Sequence, residues 1–190
     1  MRSARWTAAT TAGFILGGAA VHSPGASGIG AAFLEWDVSA AVFGGFLGAI
    51  VGAITGLLRS VALGHRDART FIATAITVSV AHALADGAPA IWGVSGVAAL
   101  SGVVAAVANA WGARNWDTRS LVAALVAWWA GWLGGVGLAG VLGLSYGSTP
   151  DVWATEHVVI AAVLGLAFGT ATSPAMRRIL RSERALSSAG

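Results

Sequence analysis

Serine and histidine are the residue types in this chain best suited to covalent chemistry. The run Gly93-Val94-Ser95-Gly96 sets a hydroxyl between glycines, and His157 opens another apolar block far downstream. A serine whose proton is taken by a histidine is sufficient for acyl transfer, and flanking glycines let backbone N–H donors approach an oxyanion. His82 and Asp86 form a second candidate, because residues four apart share one face of a helix. They could orient each other, share a proton, ligate a metal, or supply one axial ligand to a haem or chlorin; the plainer reading is a pair of polar residues at a helix end. Trp128, Trp129 and Trp132 are a third candidate, one wall of a pigment, quinone or lipid groove, with bulk packing as the plainer role. Cysteine is absent, which removes disulfides, thiolate metal sites and cysteine nucleophiles. No cofactor is identified by these residues.

Around Ser95 the chain resembles the rhomboid-type intramembrane serine proteases. That family has a six-helix core, a GxSG serine at the start of its fourth helix and a histidine in its sixth. The resemblance covers residues 56–172, including the run GLLRSVALGHRDARTF (Gly56–Phe71), which looks like that family's junction between second and third helices, and Gly165 and Gly169 after His157. It implies that Ser95 is a nucleophile and His157 its general base. Where the family carries an oxyanion His and Asn on its second helix, this chain has glycines near Gly44 and Gly48, and the family's first-loop Trp-Arg pair is missing. Gly25-Ala26-Ser27-Gly28 matches the GxSG pattern equally well.

The elements that must position these residues are apolar. Of 190 residues, 56% are hydrophobic and 10% charged, more apolar surface than a soluble domain of this size can hide. The apolar blocks are Thr7–Val21, Val38–Leu58, Thr70–Ala85, Ala90–Ala110, Ser120–Leu144 and His157–Thr172. Stretches of about 20 residues match a hydrocarbon core about 30 Å thick at 1.5 Å rise per residue. The expected fold is an all-α polytopic transmembrane bundle of six spans, residues 1–173, followed by a basic cytoplasmic tail, residues 174–190. Arg5, Arg69 and Arg119 each open an odd-numbered span, and Trp36, Trp92 and Trp153 each sit in the exterior loop that follows, which suggests three tandem helical hairpins, although any alternating bundle places Arg and Trp at such borders. A cleaved signal peptide over residues 1–22 is the competing reading of the first block and would leave five spans.

Charge supplies a direction. All eleven basic residues are Arg, and they fall before the first block, between the second and third, between the fourth and fifth, and after the sixth. The other loops hold Glu35, Asp37, Asp86, Asp151 and Glu156 and no Arg. The positive-inside rule then puts both termini in the cytoplasm of a bacterial inner membrane. Trp6, Trp36, Trp92, Trp111, Trp116 and Trp153 fall at span ends, where indoles favour the headgroup layer. The basic residues lie in short loops beside apolar spans, so the high pI signals topology and no nucleic-acid partner is expected.

No charged residue lies in the middle of any of these blocks, which lowers the expectation of active transport. Thr55, Thr74, Thr77, Ser101 and Asn109 would hydrogen-bond backbone or a neighbouring helix, or line a facilitator. Small residues recur every four positions at Ala40, Gly44, Gly48, Gly52 and Gly56, at Ala98, Gly102, Ala106 and Ala110, at Ala161, Gly165, Gly169 and Ser173, and at Gly131, Gly135 and Ala139. Such faces let helices approach closely, and they suggest that the even-numbered spans form the centre. The leading expectation is a non-catalytic accessory or scaffold subunit contacting lipids and other membrane subunits or itself, possible pigment association included. A rhomboid-like protease and a small-molecule facilitator or transporter component are the alternatives.

Overall fold

The computed structural model describes residues 2–21, 40–64, 68–87, 93–113, 116–143 and 158–174. They form six helices and no strand: α1 (Arg2–Val21), α2 (Ala40–Leu63), α3 (Ala68–Gly87), α4 (Gly93–Ala113), α5 (Thr118–Val141) and α6 (Val158–Pro174). The described part of each apolar block falls in one helix, apart from Leu142 and Gly143 just past the end of α5. The Trp36, Trp92 and Trp153 positions, Gly25–Gly28 and residues 175–190 lie outside the described residues.

Three of the helices have stretches long and apolar enough to cross a membrane: Ala41–Ala62, Ala68–Ala85 and Thr118–Val141. Six such spans are expected from the apolar blocks; three reach that length and apolarity among the described residues. α1 opens with Arg2, Ser3 and Arg5 and carries Thr7, Thr10 and Thr11, and the described apolar stretches of α4 and α6 are Gly96–Gly112 and Val158–Pro174.

Capping explains where helices stop. Gly64 has φ 71° and donates its N–H to the Val61 carbonyl at 3.0 Å, ending α2 in the left-handed conformation that glycine tolerates. α2 therefore runs past Leu58, where the apolar block ends, and carries Arg59 inside a helix. At α5, Asp117 caps the N-terminus by accepting from the Ser120 N–H at 3.1 Å.

Close contacts at glycine show how neighbours run. Added Cβ atoms at Gly13 and Gly17 of α1 would meet Thr55 and Val51 of α2. Along α2, Gly48, Gly52 and Gly56 meet Val78, Ala75 and Phe71 of α3, while Gly112 of α4 faces Ala73. Gly102 meets Leu125 of α5, and Gly131 and Gly135 of α5 meet Phe168 and Leu164 of α6. Gly165 and Gly169 of α6 then meet Phe14 and Thr7 of α1. For α1–α2, α2–α3, α5–α6 and α6–α1 one number rises as the other falls, and Gly112 near the end of α4 lies beside Arg69 and Ala73 near the start of α3, so the helices run up and down and the last packs on the first.

The result is a closed up-and-down ring. Its core takes Phe14, Val51, Val78 and Ala81, Ala105, Trp128, and Phe168, one or two residues from every helix. The even-numbered helices are thus not a separate centre. Among α1 to α5 the most extensive interface joins α2 to α3, across the border between the first two suggested hairpins, because three glycines of α2 lie against α3. Outward faces are apolar, with Leu57, Val61, Ile76, Val103, Val126 and Leu166 among the exposed side chains. The interior is rich in Ala, Gly, Ser and Thr, the arrangement expected when the surrounding solvent is hydrocarbon.

At Gly52 an added Cβ would stand 2.7 Å from the Ala75 Cα, whereas at Gly134 it would meet nothing within 4 Å. Gly52→Val is expected to destabilise the bundle by about 1–3 kcal/mol, and Gly134→Ala to leave it unchanged or slightly firmer. Circular-dichroism melts of both variants in detergent check the contrast.

Candidate functional site

Antiparallel ring closure gathers the start of α1, the end of α2, the start of α3, the end of α4, the start of α5 and the end of α6 at one end of the bundle. The arginines whose side chains are described, Arg5, Arg59, Arg69 and Arg119, all belong to that end. Arg59 differs from the others in being drawn into the interior, only 8% exposed.

Its surroundings come from three helices. The guanidinium stacks over the Trp6 ring of α1, 4.3 Å from the centroid, Nε donates to Thr10 Oγ1 at 2.9 Å, and Nη1 donates to Thr74 Oγ1 of α3 at 3.5 Å. Both threonines spend their own protons one turn back, Thr10 on the Trp6 carbonyl at 2.8 Å and Thr74 on the Thr70 carbonyl at 2.9 Å. That leaves each hydroxyl oxygen as an acceptor aimed at the cation. Trp6 in turn donates from Nε1 to Thr172 Oγ1 of α6 at 2.9 Å, and Thr172 donates to the Phe168 carbonyl at 2.6 Å. One connected polar cluster therefore joins α1, α2, α3 and α6.

Two expectations change here. Arg59, read as a loop residue marking topology, is a buried helix residue, because the helix terminator is Gly64 and not the first charge after the apolar block. Trp6, read as an interfacial anchor, is buried beneath Arg59. The clue available in the sequence was the four-residue spacing itself: Gly52 and Gly56 continue to Ser60, whose hydroxyl donates to the Gly56 carbonyl at 2.9 Å, so the packing face runs beyond Arg59. Trp111 and Trp116 are well exposed at the same end, and Arg69 sits over the Trp111 ring at 5.6 Å.

The tryptophans of α5 divide. Trp128 is buried and donates to Ser101 Oγ of α4 at 2.8 Å, while Ser101 donates to the Val97 carbonyl at 2.7 Å. Trp128 and Trp132 pack on Phe168, with ring centroids 4.6 and 6.1 Å away, and Phe14 stacks on its other side at 5.7 Å. Trp129 is 40% exposed on the outer face. The three do not form one wall.

At the opposite end His82 is half-buried, and its Nδ1 approaches the Val78 carbonyl at 2.9 Å. A carbonyl only accepts, so that nitrogen carries the proton. The Asp86 and Ser95 side chains and the whole of His157 lie outside the described residues; the Ser95 backbone is in the first turn of α4. Thr77 and Asn109 also return to carbonyls one turn back, of Ala73 and Ala105. Gly44 is buried on α2.

Two buried polar atoms find no partner among the described residues, Thr55 Oγ1 and Trp132 Nε1. Replacing an unpaired donor by carbon removes a desolvation cost, whereas replacing a paired one removes a bond of about 0.5–1.5 kcal/mol. Trp128→Phe is therefore expected to lower the thermal midpoint and Trp132→Phe to leave it level or raise it, measured by thermal unfolding in one detergent.

Comparison with known proteins adds no relative: no family model matches the chain, and neither a curated protein nor a solved structure shows significant similarity to it.

Proposed function

We propose that this chain is a six-span protein of the bacterial cytoplasmic membrane, both termini inside, acting as a non-catalytic accessory or scaffold subunit within a larger membrane assembly. The six-span reading is supported by the antiparallel ring, in which the three less apolar helices lie alongside the three long ones. Orientation follows from the gathering of arginines at one end.

The observation that carries the scaffold role is the outward face of α5. Wherever glycine lines an inward face of this bundle, a neighbouring helix lies against it. α5 has such a face in Gly131 and Gly135, turned to α6, and a second in Gly134, Gly137 and Gly140, where an added Cβ meets nothing among the described residues. Trp129, Leu133, Val136 and Val141 flank that second face and are exposed. Lipid gains nothing from glycine, which costs about 1 kcal/mol against alanine in a helix. A second transmembrane helix does gain, because its backbone can approach. Its occupant is a helix of another membrane subunit.

In mild detergent the wild type is expected to co-purify with a membrane protein, and the Gly134→Leu/Gly137→Leu variant to run alone with an unchanged thermal midpoint. A wild type that is only a monodisperse monomer, without companion protein, would remove the reading.

A second reading, a rhomboid-like serine hydrolase, draws support from Ser95 in the first turn of the fourth helix, where that family carries its nucleophile. It requires a fluorophosphonate probe to label the wild type and not Ser95→Ala. Equal labelling of both would sink it.

A further inference from the structure

Arginines near a helix end in a membrane ordinarily extend along the helix toward water. Arg59 does not. It sits four residues before the end of α2, about 6 Å in from that end at 1.5 Å per residue, and folds inward to Trp6, Thr10 and Thr74. A buried guanidinium is costly unless an anion accompanies it. Its partners here are two hydroxyls and an aromatic face, all neutral. Asp117, the one carboxylate side chain among the described residues, is exposed and caps α5.

Guanidinium has five N–H donors. One on Nε and one on Nη1 meet the threonines, and the Nη1 contact, at 3.5 Å, is at the outer limit of a hydrogen bond. The rest meet no acceptor among the described residues. Trp6 covers one face of the plane, so the open donors lie along its edge. An edge of parallel N–H groups matches the oxygens of a phosphate two at a time. Arg5 and Arg69 belong to the same end and add positive potential around it.

We infer that Arg59, held by Trp6, Thr10 and Thr74, is the core of a binding site for a phosphate group at the arginine end of the bundle. The phosphate belongs either to an anionic lipid headgroup or to a soluble phosphate. Both present the same oxygens, and the arginine end of a membrane bundle stands at headgroup depth. Binding supplies the missing negative charge and bridges α1, α2 and α3, so it stabilises the folded bundle by mass action. The site does not involve the outer face of α5 and stands whether or not a partner helix docks there.

The test uses the full chain in a neutral detergent, followed by thermal unfolding and by native mass spectrometry. Short-chain phosphatidylglycerol and inorganic phosphate are titrated separately, with a short-chain diacylglycerol as a lipid lacking phosphate. A saturable rise in thermal midpoint with phosphatidylglycerol alone assigns the site to lipid. A rise with inorganic phosphate, competing with the lipid, assigns it to a soluble anion. Arg59→Gln is expected to weaken either response at least about tenfold, and Arg5→Gln, at the periphery, to weaken it less. If Arg59→Gln does not fold, Arg59→Lys, which keeps a cation but loses the parallel N–H edge, is expected to weaken the response to either phosphate, and an unchanged response in it likewise overturns the inference. A wild type that responds no more to either phosphate than to diacylglycerol overturns the inference, as does an unchanged response in folded Arg59→Gln.

Discussion

Hydrocarbon offers helices no hydrophobic reason to associate, so everything in this bundle depends on how closely backbones can approach. The distances at glycine show how fully that approach is used. An added Cβ at Gly48 would stand 2.6 Å from the Val78 carbonyl oxygen and one at Gly169 would stand 2.9 Å from the Thr7 Cα. At such separations a helix meets its neighbour's main chain directly and collects dispersion contacts along its length. Larger residues are then displaced outward, which is why valines and leucines crowd the exposed faces while the core holds few bulky side chains besides Phe14, Trp128 and Phe168.

Close backbones also dictate where polar groups can go. Thr10, Thr11, Thr74, Thr77, Ser60, Ser101 and Thr172 each return a proton to a carbonyl three or four residues back. This satisfies the hydroxyl within its own helix and leaves oxygen lone pairs facing the neighbours. Trp6, Trp128 and Arg59 are the donors that use those lone pairs. The interior is thus supplied with acceptors before any long side chain reaches in, and Arg59 meets two of them there, with no carboxylate beside it among the described residues.

Helix number, approximate boundaries and the grouping of arginines were legible in the sequence, because block length and charge placement are local properties. The end of α2 was misplaced for an instructive reason. Charge marks a boundary between Leu58 and Arg59 in the sequence, whereas the helix stops where Gly64 adopts positive φ. Every consequence for Arg59 and Trp6 follows from that shift. Ring closure was not legible either, since it depends on which glycine faces meet. Four-residue spacing identifies a face without naming its partner, and the faces of α6 turned out to serve α1. The GxSG run and His157 were legible as a pattern, but their meeting depends on residues outside those described.

The ring has its seam between the first helix and the last. Trp6 and Thr172, joined side chain to side chain, are separated by 166 positions, nearly the whole length of the chain. During synthesis α1 is made long before α6 exists, and its Trp6, Thr7 and Phe14 must wait without their α6 neighbours while four more helices are added. A chain cut before α6 therefore leaves the Trp6 indole N–H without its acceptor and the Thr7–Phe14 face of α1 without the glycines that fit against it.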